Sequence, residues 1–439
     1  MLFIPPHVTI RYPYVRNERI ENNQVHMHIA HLSLTNFRNY GRLEVDFSPS
    51  ATLLYGANAQ GKTNLLEAIY YLATTRSHHA DQDNQLLNWE AEQGEEPIVV
   101  GRLVAEVKRT DGDRLLEMRL IKERQGQQVS FRREALVDRR KVRLMDLLGN
   151  LRVVLFLPQD VQMVTGSPAE RRRYLDITLC QTDPVYCRNL SRYNKVLEQR
   201  NAALRRIAEE GYGHDVLSVY TEKLVNLGGY LFARRASFIA ALAREAQKIH
   251  YEALTEGREM LRLSYLPRLY NLDHNNGHLK AVQKEWAEWL ESASADEAGA
   301  RFREALQEAR PNDIARARTT LGPQRDDWGF VVNGRDLGSF GSRGQQRTAV
   351  LALKMAEINW MAAETGETPV LLLDEVVAEL DQQRRALLLG YIQQGAQAIL
   401  TATDPAMFTG TFLQGADVIH VRNGQIVETR APISDFEYE

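Results

Sequence analysis

Cysteine is nearly absent from this chain. Its 439 residues hold two, Cys180 and Cys187, too few for a disulfide framework or a zinc site, and their spacing fits no redox motif. Both are expected as reduced, buried thiols of a cytoplasmic protein. Long apolar runs are missing as well. No stretch approaches the roughly 20 apolar residues of a membrane span, so no membrane role is expected. Nor does charge of one sign dominate: 54 basic against 57 acidic residues leave a net charge of −3. Such a balance neither demands nor excludes a nucleic-acid partner, because a local basic face binds phosphates whatever the total. Hydrophobic residues make 44% of the chain and charged ones 25%, which excludes whole-chain disorder. Residues 1–26 carry Pro5, Pro6 and Pro13 among charges, unlike a secretory leader. They read as a flexible extension, with Met27 an alternative translation start.

What is present is orderly. Leu32, Leu34, Leu43, Val45 and Phe47 alternate with polar residues and predict a two-strand hairpin, and residues 51–55 read as a short buried strand. A glycine-rich turn follows, then a helix over 63–73. Alternation over 99–108 and 115–121 around Asp111-Gly112 predicts a second hairpin. From about Glu170 to Ala309 the pattern is helical. Leu190, Tyr193, Leu197, Leu204 and Ile207, then Leu217, Tyr220, Leu224, Leu227, Leu231 and Phe238, recur at helical spacing, with Arg200 and Arg234 breaking the seam. This suits a short antiparallel arm or, equally, an ordinary helical subdomain. Buried-strand character returns at 370–373 and 398–401, separated by a helix around 384–393, and a last hairpin flanks Asn423-Gly424. The layout is one α/β domain in two segments, 27–125 and 311–439, with a mainly helical lobe over 126–310 between them.

Gly56-Ala57-Asn58-Ala59-Gln60-Gly61-Lys62-Thr63 fits G-x-x-x-x-G-K-[ST] between a predicted strand and a predicted helix, the context a phosphate-binding loop requires. Glycines let the backbone wrap phosphates, and amide hydrogens at a helix start supply positive potential. Lys62 is then expected to reach the terminal phosphates of ATP, and the Thr63 hydroxyl to bind Mg²⁺. Val370-Leu371-Leu372-Leu373-Asp374-Glu375 is a buried strand ending in two acids. Beside a phosphate loop, Asp374 is the expected metal partner and Glu375 the expected general base for water. Gly341-Ser342-Arg343-Gly344-Gln345-Gln346-Arg347 precedes a helix over 348–365. Its serine and bare glycine amides make either a helix cap or a second anion site. Two phosphate sites in one chain imply two protomers sharing nucleotide.

Several motifs together resemble the RecF family of bacterial DNA replication and recombination-repair proteins. They are Asn36-Phe37-Arg38-Asn39-Tyr40, the phosphate loop with residues 64–72 after it, Thr75-Arg76-Ser77-His78, Gly166-Ser167-Pro168 with residues 171–176, Gly322-Pro323 with Arg325-Asp326-Asp327, and residues 342–347. The resemblance runs from about Met27 to Asp404. It implies an ABC-type ATPase head (a P-loop NTPase) similar to those of chromosome-maintenance proteins, with the helical insertion as a short arm. Heads of this kind pair so that Ser342, Arg343, Gly344 and Gln345 of one chain cap the ATP held by residues 56–63 of the other. Glu379-Leu380-Asp381 is similar to the adjoining dimer-contact loop, and Gln159 stands in the place of the glutamine that senses metal and water. Ala378 replaces the usual serine, and Gln324 replaces the usual histidine. The switch histidine of transport ATPases is missing, leaving Thr403 to contact the γ-phosphate. The resemblance further implies DNA, RecO and RecR as partners, loading of RecA at single-strand gaps, and slow, DNA-dependent ATP hydrolysis that resets an ATP-dependent homodimer.

For DNA itself, Arg132, Arg133, Arg139, Arg140, Lys141 and Arg143 concentrate positive charge, and Arg171, Arg172 and Arg173 add more. Glu134, Asp138, Glu170 and Asp176 interleave, so a solvated surface is the competing reading. His78 and His79 read as polar surface or phosphate-adjacent residues rather than metal ligands. Two other function classes compete. A transporter's nucleotide-binding subunit would hold its phosphate loop and signature segment much closer in sequence than Lys62 and Ser342 are here. A scaffold with a merely structural nucleotide would not need Glu375.

Overall fold

The computed structural model describes residues 27–430 apart from 94–95, 127, 271–278 and 394, so the expected extension over 1–26 lies outside the described residues. Alternation builds the first sheet. In β1 (His28–Phe37) and β2 (Tyr40–Asp46), Leu32 pairs with Val45 and Leu34 with Leu43, all four buried. The chain leaves this sheet through β3 (Ala51–Tyr55) and returns as β4 (Ile98–Lys108), β5 (Arg114–Gln125), β6 (Gln128–Val137) and β7 (Arg140–Val142). The six-stranded order is β2-β1-β4-β5-β6-β7, antiparallel throughout.

A second six-stranded sheet carries the chemistry. It combines β3 with β8 (Val153–Phe156), and later with β12 (Val370–Asp374), β13 (Ala398–Ala402), β14 (Ala416–Arg422) and β15 (Gln425–Arg430), in the order β15-β14-β3-β13-β12-β8. Its inner strands are parallel and covered on both faces, which is why β12 and β13 are unbroken apolar runs. Their side chains alternate between two cores. Val370, Leu372 and Ile399 pack toward the first sheet and the helix Lys62–Thr74, while Leu371, Leu373 and Leu400 pack toward the helix Arg343–Thr365 and the helical lobe. Each such side chain contributes about 1.5–3 kcal/mol on full burial. The strand order matters for function: β13 separates β3 from β12, so the loops leaving β3 and β12 face each other across the end of β13.

The arm forms as an antiparallel pair of helices, Pro184–Glu210 and His214–Lys248. Where the apolar seam breaks, the structure places anchors. Arg200 is fully buried, with Nη1 donating to Asp313 (2.8 Å) and to Thr319 (2.7 Å). Arg234 pairs with Asp183 and Glu364. A buried cation keeps its charge only when so many acceptors meet it.

Three expectations are corrected. Residues 126–166, expected in the helical lobe, instead supply β6, β7 and β8, and β8 pairs with β12 in the second sheet. The long helices begin at Pro168. The stretch that follows the arm also contains strand: β9 (Leu261–Leu266), β10 (Asp327–Val332) and β11 (Arg335–Asp336) form a three-stranded sheet. The cysteines are free but only half buried. Among the described residues no helix is long and apolar enough to cross a membrane.

Candidate functional site

The phosphate loop owes its shape to two glycines and two neighbouring turns. Gly56 passes so close to β14 that a Cβ there would lie 2.3 Å from the Val421 carbonyl, and Gly61 takes φ 114° just before the helix Lys62–Thr74. From the β1–β2 turn, Asn39 Nδ2 donates to the Gln60 carbonyl (3.1 Å) and the Tyr40 hydroxyl to the Gly61 carbonyl (2.9 Å). On the other flank, the Asn423 amide donates to Gln60 Oε1 (2.7 Å) and the Gly424 amide to the Gln60 carbonyl (2.9 Å). The loop is thus clasped between two hairpin turns distant in sequence. Sequence reasoning found Asn423-Gly424 as a turn but not what it touches.

Arg38 completes this side. It forks onto Glu67 with two bonds of 2.7 Å, and Ser77 also donates to Glu67. Burial pushes the Glu67 carboxyl up, but Arg38 and Ser77 outweigh it and hold the group below the ordinary carboxylate range. Three of the quoted motifs therefore converge on one ion pair.

Across the sheet, Thr63 and Asp374 meet although they lie 311 positions apart: Thr63 Oγ1 donates to Asp374 Oδ1 at 2.9 Å. Thr401 Oγ1, at the end of β13, donates to the same oxygen at 2.7 Å and accepts the Glu375 amide at 2.9 Å. One hydroxyl, unnamed by the motifs, thus orients both acids. Glu375 itself sits in the left-handed region at φ 53°, ψ 8°. Such a conformation costs a non-glycine residue about 1–3 kcal/mol and is concentrated at functional sites. Lys62, nearly buried, donates to the carbonyls of Gly56 (2.8 Å) and Ala57 (2.9 Å) and lies 3.6 Å from Glu375 Oε1. Thr63 and Asp374 form a hard-oxygen pair that fits Mg²⁺, and the loop amides beside Lys62 fit phosphate. Because a group that hydrogen-bonds a metal's carboxylate ligand commonly tunes metal affinity by about 10–100-fold, Thr401→Val is expected to weaken Mg²⁺-dependent binding of a fluorescent ATP analogue by about tenfold. A metal titration at fixed nucleotide measures this.

The other expected residues sit as follows. Ser342 caps the helix Arg343–Thr365, accepting the Gln345 amide while the Gln345 side chain accepts the Ser342 amide. Ser342, Arg343 and Gly344 remain exposed, so the cap reading holds while the helix end stays open to solvent. Among the described residues, no hydrogen bond or ion pair joins residues 342–345 to 56–63; Gln345 instead donates to Glu259 at 2.8 Å. Glu379 pairs with Arg347 of the signature helix at 3.1 Å, Leu380 is buried, and Asp381 caps the helix Gln382–Ile392. Gln159 lies on a short turn after β8, exposed and without a side-chain hydrogen bond among the described residues. Thr403 lines a small pocket with Glu375 and Thr401.

The expected DNA cluster is largely neutralised within the chain. Arg132 pairs with Glu123 and Glu134, Arg133 with Asp83, Lys141 with Glu134, and Arg143 with Asp146. Arg139 and Arg140 alone of that cluster stand exposed at a turn with no carboxylate partner among the described residues. Arg171, Arg172 and Arg173 fasten the lobe, reaching Asp327, the Asp326 carbonyl and the Ser77 carbonyl. His79 is exposed as expected, but His78 is largely buried, its imidazole pushed down to about 3 by desolvation. Among the described residues no three or more His, Cys, Asp or Glu side chains gather so as to hold a metal ion.

A family model described as the RecF/RecN/SMC N terminal domain matches residues 28–426. Proteins called DNA replication and repair protein RecF from Chloroflexus aurantiacus and Chloroflexus aggregans are each 42% identical over 414 residues, 91% of this chain and 99% of theirs. A solved structure of the recombination mediator protein RecF-ATP in the RecFOR pathway aligns at TM-score 0.78 and 28% identity, covering 94% of this chain and 100% of that one. The Smc head domain with an extended coiled coil from Pyrococcus furiosus aligns at TM-score 0.50 and 15% identity over 92% of this chain and 96% of that one, a likeness of fold alone.

Proposed function

The chain belongs to the RecF family and has the ABC-type ATPase head fold, and from that premise we propose that it is an ATP-binding, DNA-binding protein of replication and recombinational repair. ATP pairs two copies on DNA at single-strand gaps or junctions, slow DNA-stimulated hydrolysis separates them, and the paired state assists RecA loading with RecO and RecR. The observation that carries this reading is the split arrangement of the site. Thr63, Asp374, Glu375 and Lys62 gather at one sheet end, while the signature helix start of the same chain is exposed and unconnected to them. A second copy supplies what one copy lacks.

In this reading, the loop amides and Lys62 bind the β- and γ-phosphates. Thr63 and Asp374 hold Mg²⁺, which neutralises developing charge on the phosphates when bound. Glu375 accepts the proton of the attacking water, with Thr401 fixing its backbone. Ser342, Gly344 and the helix N-terminus of the partner copy offer donors to the γ-phosphate from the other side. Sedimentation velocity with ATP, with ADP and without nucleotide, each with and without gapped duplex, tests the proposal. Dimers in ATP alone or ATP with DNA are expected; a monomer that hydrolyses ATP at full rate without ever associating would overturn it.

A further inference from the structure

Phosphate contacts come from cations whose charge the protein has not already spent on its own carboxylates. Most members of the arginine cluster expected at the DNA surface fail that criterion, as their ion pairs show. Three arginines gathered at one place meet it. Arg172 donates to the Asp326 carbonyl (2.6 Å) and Arg173 to the Ser77 carbonyl (2.7 Å), while Arg76 makes no side-chain hydrogen bond; none of the three has a carboxylate ion-pair partner among the described residues. A guanidinium has five N–H donors, so most of theirs are unused.

All three line one cleft of about 620 Å³ between the end of the helix Lys62–Thr74, the segment 144–148 and the helices that begin the lobe. Leu144, Met145 and Ile177 add apolar side chains to its lining. The one acid among its described lining residues, Asp176, is already committed, accepting from Arg235 (2.8 Å) and from the Tyr186 hydroxyl (2.6 Å). Desolvation, with Arg235 nearby, holds the Arg172 guanidinium below its usual value. Asp326, Asp327 and Asp176 oppose this only in part, so a desolvated cation in such a place gains from an anion brought from outside.

Resting on the DNA-binding reading above, we propose that this cleft, through Arg76, Arg172 and Arg173, receives the phosphodiester backbone of DNA, with Leu144, Met145 and Ile177 lying against the sugars. A strand supplies one negative charge per nucleotide regardless of sequence, which matches several unpaired guanidiniums on separate elements. The cleft also has a mechanical relation to the nucleotide. The helix Lys62–Thr74 begins at the phosphate loop, and Thr74, Thr75 and Arg76 at its other end line the cleft. Its 13 residues span about 20 Å, so DNA and ATP address opposite ends of one rigid rod.

Fluorescence anisotropy with a labelled gapped duplex, in ATP and over a range of salt, tests this placement. Arg76→Glu combined with Arg173→Glu is expected to weaken binding on the order of tenfold or more at fixed salt, and to lower the salt slope by about one per lost phosphate contact. Arg76→Lys should retain parent-like binding, since the charge stays. Arg143→Glu, at a cation already paired with Asp146, should change affinity little. Melting temperature reports whether the double variant is folded, and the single Arg76→Glu, at an exposed side chain, gives the same test with a smaller drop if it is not. Parent-like affinity and slope in these variants would overturn the cleft assignment while leaving DNA binding standing, as would a drop confined to Arg143→Glu. Failure of the parent chain to bind the duplex at all would instead overturn the DNA reading itself.

Discussion

Lys62→Met is expected to abolish ATP-dependent pairing of the chain while leaving it folded. Methionine matches the length of the lysine stem and tolerates the same narrow space, so the buried aliphatic part is preserved. What disappears is the ammonium, now hydrogen-bonded to the carbonyls of Gly56 and Ala57 and close to Glu375. Without it Glu375 faces the incoming triphosphate with no intervening cation, so two effects add: a lost attraction and an uncovered repulsion. The affinity for ATP should fall at least about a hundredfold, which is about 2.8 kcal/mol at 1.4 kcal/mol per factor of ten. Stability should change far less, by about 1 kcal/mol, since the two carbonyls lose one charged donor at a solvent-accessible loop. Calorimetric titration of ATP, a thermal melt and sedimentation in ATP separate these quantities. Dimers forming in ATP as readily as with the parent would contradict the shared-site model.

The nucleotide half of this site was legible because its chemistry is local. A phosphate loop must be a strand, a glycine turn and a helix in succession, and residues 51–74 can be recognised from that order alone. Asp374 and Glu375 were legible only in company with that loop, since two acids at the end of a buried strand are otherwise often a solvated turn. Thr401 was not. Its role depends on β13 lying between β3 and β12, a fact of strand order that no local pattern encodes, whereas the family resemblance points to Thr403 two positions later. Asn39, Tyr40 and Asn423 escaped for the same reason, because they act on the loop through turns brought in from both ends of the chain. The arginine cluster shows the opposite case, in which a local count misses partners from elsewhere. Counting basic residues along β6 and β7 ignores Glu123 and Asp83, which reach the same cations from a neighbouring strand and turn. The boundary of the helical lobe at 126 falls too early because residues 128–142 become strands only by pairing with β5 and with each other, which no local pattern announces.

Glu375→Gln separates hydrolysis from binding, and its expected effects have opposite signs. The amide is nearly isosteric and keeps the backbone bond to Thr401, so the left-handed turn and the position of Asp374 should persist. It cannot accept a proton from water at neutral pH. A positioned general base contributes about 10²–10⁴-fold to rate, so ATP hydrolysis in single turnover should fall by at least about a hundredfold. Binding should not fall with it. The carboxylate is about 40% exposed beside Lys62, and replacing it removes a negative charge from the neighbourhood of the γ-phosphate, which favours ATP or leaves it unchanged. With capture intact and cleavage slowed, ATP-held dimers should persist longer after dilution, whereas Lys62→Met should form none. A Glu375→Gln protein whose hydrolysis rate and dimer lifetime equal the parent's would remove Glu375 from the role of base and leave Thr63, Asp374 and Lys62 as a site that binds nucleotide without timing its release.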